Sequence, residues 1–277
     1  MMTPFIAEII GTALLLLLGG GVVANVSLKK TYGEGQSALV LITTAWGFSV
    51  FVGAYVTGQF SGGHLNPAVT LGLAVIGKFS WSLVPLYIVA QVIGAMLGSW
   101  LNYLLYIDHY RITEDEDTIR GTFCTAPAIR SFKNNFFSEA LGTFILVFGI
   151  FFIASPSIVI DGVTTENFGI GSLDALPVAL LVWVIGMSLG GTTGYAINPA
   201  RDFGPRLVYQ LIPRKNKKAD WGYSWIPILG PLTGAFIAGV IYNVLMAYLF
   251  GHIHRTGLSN HGHFYLTWIG HICLNLL

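Results

Sequence analysis

Long apolar runs alternate along this chain with short polar interruptions, and the runs are long enough to cross a membrane. Stretches free of charged side chains cover residues 9–28, 35–77, 79–107, 140–160, 175–200 and 221–254. A helix needs about 20 apolar residues to cross a hydrocarbon core of about 30 Å, so most of these stretches hold one span each. The run 35–77 is too long for one span and is broken by Pro67, which places a helix near 38–58 and something shorter after it. The pattern therefore predicts six spans, near 5–28, 38–58, 83–107, 134–154, 175–193 and 225–249. Nothing basic precedes the first apolar run, which is long enough to remain as a helix, so no cleavable signal peptide is expected.

The same polar landmarks occur twice. "FIAEIIGTALLLLLGGG" from Phe5 aligns with "FFSEALGTFILVFGIFF" from Phe136, which sets Glu8 against Glu139 at an offset of 131 residues. "HLNPAVT" from His64 and "AINPARD" from Ala196 follow, with Asn66 and Asn198 offset by 132. Gly94 and Gly234 come next, offset by 140. Three landmarks in one order indicate an internal duplication. Each copy holds three spans, an odd number, so the second must cross the membrane in the opposite sense. The expected fold is an all-α membrane protein of six transmembrane helices plus two re-entrant half-helices, an inverted repeat of three spans. Repeat one is assigned to residues 4–107 and repeat two to 134–250, within one domain over 1–250; residues 251–277 form an atypical C-terminal tail.

Polar groups inside such a domain need a reason, and the two Asn-Pro-Ala segments supply one. Irregular backbone is tolerated at membrane depth only where protein buries it or water bathes it. Asn66 and Asn198 are good N-caps, and Pro67 and Pro199 suit the first helical position, where a missing N–H is no loss. Short helices are predicted from Pro67 and Ala68 to about Gly77, and from Pro199 and Ala200 to about Gln210. A ten-residue helix rises only about 15 Å, so two entering from opposite faces would meet near the midplane. Each tip would carry roughly half a positive charge. If each asparagine oxygen caps its own helix, the amide NH2 groups are left to donate into the space between. Such a centre suits a neutral, hydrogen-bonding solute and repels cations. One Asn-Pro-Ala alone would be only a capped helix start; two in register with a duplication point to a shared site.

Composition narrows this further. Charged residues are 10% of the chain, against roughly 25% in soluble domains, and 54% are apolar, with a mean hydropathy of +0.68. The net charge of +1 says little about partners, and with no basic stripe a nucleic-acid partner is not expected. Cys124 and Cys273 are too few and isolated to form a metal or disulfide motif, and no cofactor is expected.

At this point the residues resemble a known family. "AEIIGT", "SGGHLNPAVTLG", "GTFCTAP", "VIGMSLGGTTGYAINPARDFGPRL" and "LGPLTGA", spread over about residues 4–250, are similar to the aquaporins (major intrinsic proteins), in their glycerol-facilitator branch. The resemblance implies a multi-pass cell-membrane channel, not an enzyme, that conducts glycerol and other small neutral solutes with water. It also implies a homotetramer, embedded in membrane lipid, with one pore per subunit. It carries a selectivity filter onto Trp46, Gly186, Tyr195 and Arg201. Glycine at 186 would leave room for an aromatic corner of Trp46 and Tyr195 along the carbon face of a polyol, while Arg201 donates to neighbouring hydroxyls. The backbone carbonyls of Gly62, Gly63 and His64, and of Gly194, Tyr195 and Ala196, would form a ladder of acceptors, and Asp202 would brace the wet cavity. An inverted repeat also serves alternating access, so a secondary transporter is the alternative.

Other polar residues have plainer readings. Glu8 and Glu139 could relay protons, but their symmetry favours accepting N–H groups from the irregular loops. Gly94 with Gly98, and Gly230 with Gly234, have the spacing of close helix packing. "TEDED" (Thr113 to Asp117) and "PRKNKK" (Pro213 to Lys218) read as solvated surfaces. The family orientation puts both termini in the cytoplasm, yet leaves twelve of the fourteen Lys and Arg outside, against the positive-inside rule; we keep it because several of them lie in a long loop or a re-entrant segment. The tail histidines His252, His254, His261 and His263 lack acidic partners, which favours a surface-lying tail or a sequence artefact over a metal site or a membrane metalloenzyme.

Overall fold

The structure, a computed structural model, describes residues 2–35, 38–153, 159–160, 163–164 and 171–256. Among the described residues, five helices are long and apolar enough to cross a membrane. They are α1 (Pro4–Ser27), α2 (Ala38–Ser61), α4 (Val84–Leu105), α7 (Phe132–Phe151) and α10 (Ile226–Thr256). Thr3 starts α1 with its side chain accepting from Ile6 N, and Pro4 takes the first position. Two half-helices, α3 (Pro67–Val75) and α9 (Pro199–Leu211), lie between, and short helices α5 (Ile107–Ile112) and α6 (Glu116–Gly121) lie in the long loop before α7. Asp115 caps α6, and the Thr118 hydroxyl and amide hold its carboxyl below the usual carboxylate range.

The fifth expected span differs from the apolar run that predicts it. Helix α8 covers only Leu176–Leu189, 14 residues, preceded by a 3-10 segment at Gly171–Ala175. At 1.5 Å per α residue and 2.0 Å per 3-10 residue the two together rise about 31 Å, close to a hydrocarbon thickness. The helix stops short of residue 193: Gly190 caps it, still donating its N–H to Gly186 O, and the chain then turns into the second loop. A two-residue antiparallel pair, β1 (Val159–Ile160) with β2 (Val163–Thr164), is the only strand pairing among the described residues. Helix α10 continues to Thr256, past the expected boundary at 250; the rest of the tail, His261 and His263 included, lies outside the described residues. No metal-holding cluster of side chains occurs among the described residues.

The duplication is visible in the packing. Helix α1 packs chiefly on α4 and α2, and α7 chiefly on α10. Glycines make both close approaches: a Cβ at Gly94 or Gly98 would run into the Ile9 or Ala13 carbonyl of α1, and one at Gly234 into the Ala140 carbonyl of α7. Each half-helix also inserts into the other half of the molecule. Helix α3 lies against α10 and α7, where Ala68 and Val69 join Val147, Phe151 and Ala235 in one core. Helix α9 lies against α4, where Ala200 joins Ala95, Leu15 and Trp46 in another. Outward positions such as Val89, Ile93, Leu97 and Leu101 stay exposed, the apolar exterior that a lipid-facing helix requires.

Candidate conduction pathway

The N-termini of α3 and α9 meet at the two asparagines, and each asparagine bonds across the junction. Asn66 Oδ1 accepts from Ala68 N (2.9 Å), capping its own helix, while its Nδ2 donates to Ile197 O (2.9 Å) of the opposite loop. Asn198 Oδ1 accepts from Ala200 N (3.0 Å) and Arg201 N (3.2 Å), while its Nδ2 donates to Leu65 O (2.8 Å). The sequence reading left both NH2 hydrogens free; the structure commits one from each asparagine to the opposite half. One hydrogen per amide remains. The half-helices are 9 and 13 residues, about 14 and 20 Å long at 1.5 Å per residue.

The loops before them are held from behind by buried carboxylates. Glu8 Oε1 accepts from Ser61 Oγ (2.6 Å) and His64 N (2.9 Å), and its Oε2 from Leu65 N (2.8 Å) and Gln91 Nε2 (2.8 Å). Glu139 accepts from Ala196 N (3.0 Å) on Oε1 and Ile197 N (2.8 Å) on Oε2. These bonds stabilise a costly backbone: Leu65, Tyr195 and Ile197 adopt φ of 52°, 38° and 41°, a left-handed region that non-glycine residues avoid. Gly62, Gly63 and Gly194 carry the other positive φ values of these loops. With the N–H groups turned toward the carboxylates, loop carbonyls are released for other partners.

A cavity of about 880 Å³ leads to this junction. Gln59, Gly62, Gly63, His64, Asn66 and Asn198 contribute its polar lining, Val50, Leu73, Leu146 and Val182 its apolar one, and Lys78 and Asp174 also border it. His64 is fixed there by Thr70 Oγ1 (3.1 Å from Nδ1), by an edge contact with Phe79 and by a tilted contact with Tyr87. Trp46, Gly186, Tyr195 and Arg201 are not part of this lining, nor are Gly194 and Ala196. The first four form a second group: the Arg201 guanidinium carbon lies 4.2 Å from the centroid of the Trp46 ring, and Tyr195 packs against the core that holds Trp46. A Cβ at Gly186 would come within 2.8 Å of Tyr195 Cζ, so glycine is what lets the ring lie there. The Tyr195 hydroxyl is buried and bonds to nothing among the described residues.

Asp202 sits behind the pathway. Its Oδ2 accepts from Thr125 N (2.8 Å) and Thr125 Oγ1 (2.7 Å), and its Oδ1 from Arg206 Nε (2.8 Å). Arg206, fully buried, also donates to Ala219 O (2.5 Å) and Thr125 O (3.0 Å). This pair ties the segment before α7 to the segment after α9, next to the Arg130–Asp220 ion pair. Arg206, Gln91 and Tyr87 escaped the sequence reading. Arg206 had a readable signal, its spacing of four residues from Asp202 on one helix face. Gln91 bridges Glu8 to Thr70 Oγ1 (3.0 Å) and Tyr87 OH donates to Ser61 O (2.9 Å), contacts no local pattern announces. The acidic and basic runs, read as separate solvated surfaces, touch: Arg214 pairs with Glu116 and donates to Tyr110 O (2.8 Å) and Thr113 O (2.7 Å).

Two half-helices meeting tip to tip at the head of a cavity with one polar and one apolar wall, inside a duplicated helical bundle, define a membrane channel of the aquaporin type. The chain belongs to the major intrinsic protein family, whose profile matches residues 1–242, and it is a multi-pass membrane protein. It is 48% identical over 245 residues to the "Probable glycerol uptake facilitator protein" of Thermotoga maritima, covering 88% of this chain and all of that one. A "D/L-lactic acid transporter" of Lactiplantibacillus plantarum is 41% identical over 243 residues, 86% of this chain and 95% of the relative. Among solved structures, the aquaglyceroporin from Plasmodium falciparum superposes with a TM-score of 0.74 at 32% identity, covering 88% of this chain and 96% of that one.

Proposed function

We propose that this chain is a passive channel through which glycerol and other small neutral solutes, with water, diffuse across the cell membrane, no reaction being catalysed. The observation that carries the reading is the 880 Å³ cavity ending at Asn66 and Asn198, where two helix N-termini present N–H dipoles and the two uncommitted amide hydrogens. A neutral hydroxyl solute can accept those bonds, and a cation is repelled. The filter is assigned to Trp46, Gly186, Tyr195 and Arg201: an aromatic corner for carbon and a guanidinium for hydroxyls. The carbonyls of Gly62, Gly63 and His64, and of Gly194, Tyr195 and Ala196, are assigned to replace lost hydration along the path. Glu8 and Glu139 hold the loops, and Asp202 braces the wall. The names of the relatives, glycerol facilitators and one lactic acid transporter, support a small polyol or a protonated hydroxy acid as solute.

A secondary transporter is not favoured. Alternating access needs one repeat to rock against the other, whereas Asn66 and Asn198 each bond across the repeats while each half-helix packs into the opposite half. Residues 4–107 and 134–250 are taken as the two repeats of the channel, and the exposed apolar faces as surfaces for lipid and for a homotetramer with one pore per subunit. Stopped-flow light scattering on proteoliposomes with glycerol, dihydroxyacetone, urea, lactic acid and water tests the reading. Passive flux of glycerol insensitive to an uncoupler is expected; accumulation against a gradient would refute it.

A further inference from the structure

The aromatic corner has a back as well as a front. Trp46 is nearly fully buried, and its indole meets Gly19 of α1. A Cβ at Gly19 would lie 2.5, 2.6 and 2.7 Å from Trp46 Cε3, Cζ3 and Cδ2, closer than real Cβ atoms come, and all three of its nearest neighbours belong to that one indole. Gly190, beside Tyr195, differs: an added Cβ there would lie 2.5 Å from Tyr195 Cδ1 but also 2.4 Å from the Gly186 backbone oxygen, so the backbone excludes it as well as the ring. Gly19 is not needed for backbone freedom. It is in the middle of α1, where alanine would be the better helix former. It is therefore there for the volume it leaves empty beside the indole.

We infer that Gly19 determines solute size from outside the lumen by setting how far the Trp46 ring stands back. It is a positioning residue: it acts only through that ring. The inference rests on the assignment of Trp46 to the filter. The indole cannot yield to a methyl group at 19 without moving relative to Arg201, whose guanidinium carbon lies 4.2 Å from its centroid. Displacing that ring narrows the opening for a polyol, which is bulkier in cross-section than water, before it narrows it for water.

The test compares glycerol and water permeabilities of the full-length protein in proteoliposomes. Gly19→Ala is expected to lower glycerol flux about tenfold, equivalent to about 1.4 kcal/mol in barrier, while water flux stays within about twofold. Gly21→Ala, in the same helix, places a Cβ at an ordinary 3.7 Å from Asn102 Oδ1 and is expected to leave both fluxes unchanged. The double variant Gly19→Ala/Trp46→Phe is expected to match Trp46→Phe alone, because a smaller ring no longer meets the methyl group. If Gly19→Ala does not reach the membrane, that double variant is expected to do so, and its failure too would overturn the inference. So would a glycerol-to-water ratio unmoved by Gly19→Ala while Trp46→Phe moves it, which leaves the filter assignment standing. A ratio that neither variant moves removes the filter assignment and this inference with it.

Discussion

Leu65 and Ile197, the residues just before the two asparagines, are held alike although they are 132 positions apart. Each adopts a left-handed φ, each gives its N–H to the carboxylate of its own repeat, and each gives its carbonyl to the asparagine of the other. The junction is thus a closed set of bonds in which either asparagine supports both its own helix and the opposite loop. The two are unequal, because Asn198 caps two amides and Asn66 one.

That inequality ranks two variants. Asn66→Ala removes one cap, worth about 1 kcal/mol, and strands the buried Ile197 carbonyl at about 1–3 kcal/mol. Asn198→Ala removes both of its caps and strands the Leu65 carbonyl, so it should be the less stable by roughly a further 1 kcal/mol. Thermal unfolding of the detergent-solubilised protein checks the order, and the reverse order would show that the junction is not organised by these bonds.

Tyr195 and Gly186 make opposite predictions at neighbouring atoms. The Tyr195 hydroxyl is buried without a partner among the described residues, so Tyr195→Phe removes an unsatisfied group; stability should hold or rise, and the glycerol-to-water ratio should not change. Gly186→His places its first carbon 2.8 Å from that ring, and should cut glycerol flux far more than water flux. An equal loss of both would show that position 186 does not set the width.

Arg201 offers a charge test. Replacing it with Val leaves the Trp46 ring without its cation and the corner without a fixed positive charge. Ion conductance in planar bilayers should rise while glycerol flux persists. Unchanged ion conductance would assign the exclusion of cations to the helix tips alone.

What could be read from the chain divides along the range of the interactions. The six apolar runs, the duplication and the capped starts at Asn66 and Asn198 are local patterns, so residue type and spacing carry them. The end of α8 is only partly legible: Gly190 and Gly191 are residues that close helices, but the charge-free run continues past them and extends the expected span to 193. Arg206 is similar, since its carbonyl partners Thr125 and Ala219 lie in two other loops. Glu116 and Arg214 each look solvated within their own charged run, and only the fold brings the runs into contact. The crossing bonds of the asparagines follow the same rule. Capping is written in the sequence, whereas the partner of the remaining amide hydrogen is set by which loop the other half delivers.

Glu8 is surrounded by four donors, which makes its acceptor character testable. Glu8→Gln keeps the shape but turns an NH2 group toward Ser61 Oγ and His64 N, or toward Leu65 N and Gln91 Nε2. At least one buried donor must lose its acceptor, at about 1–3 kcal/mol. The expected result is a lower unfolding temperature and less water and glycerol flux in equal proportion, because the loop it holds serves both. A selective loss of proton leak with normal solute flux would restore the proton-relay reading.

Asp202 and Arg206 form a fully buried ion pair, with Nη2 2.8 Å from Oδ1, and removing one partner leaves an uncompensated charge. Asp202→Ala should therefore destabilise by about 3–5 kcal/mol, as for other broken buried pairs. Asp202→Ala/Arg206→Leu should recover part of this, since the second change removes the stranded cation, although Thr125 N still loses its acceptor. A double-mutant cycle on the unfolding temperature measures the coupling. The carboxylate is spent on Thr125 and Arg206 and is not part of the cavity lining, so the glycerol-to-water ratio of the folded fraction should match the parent. A changed ratio at normal stability would instead place Asp202 in direct contact with the solute.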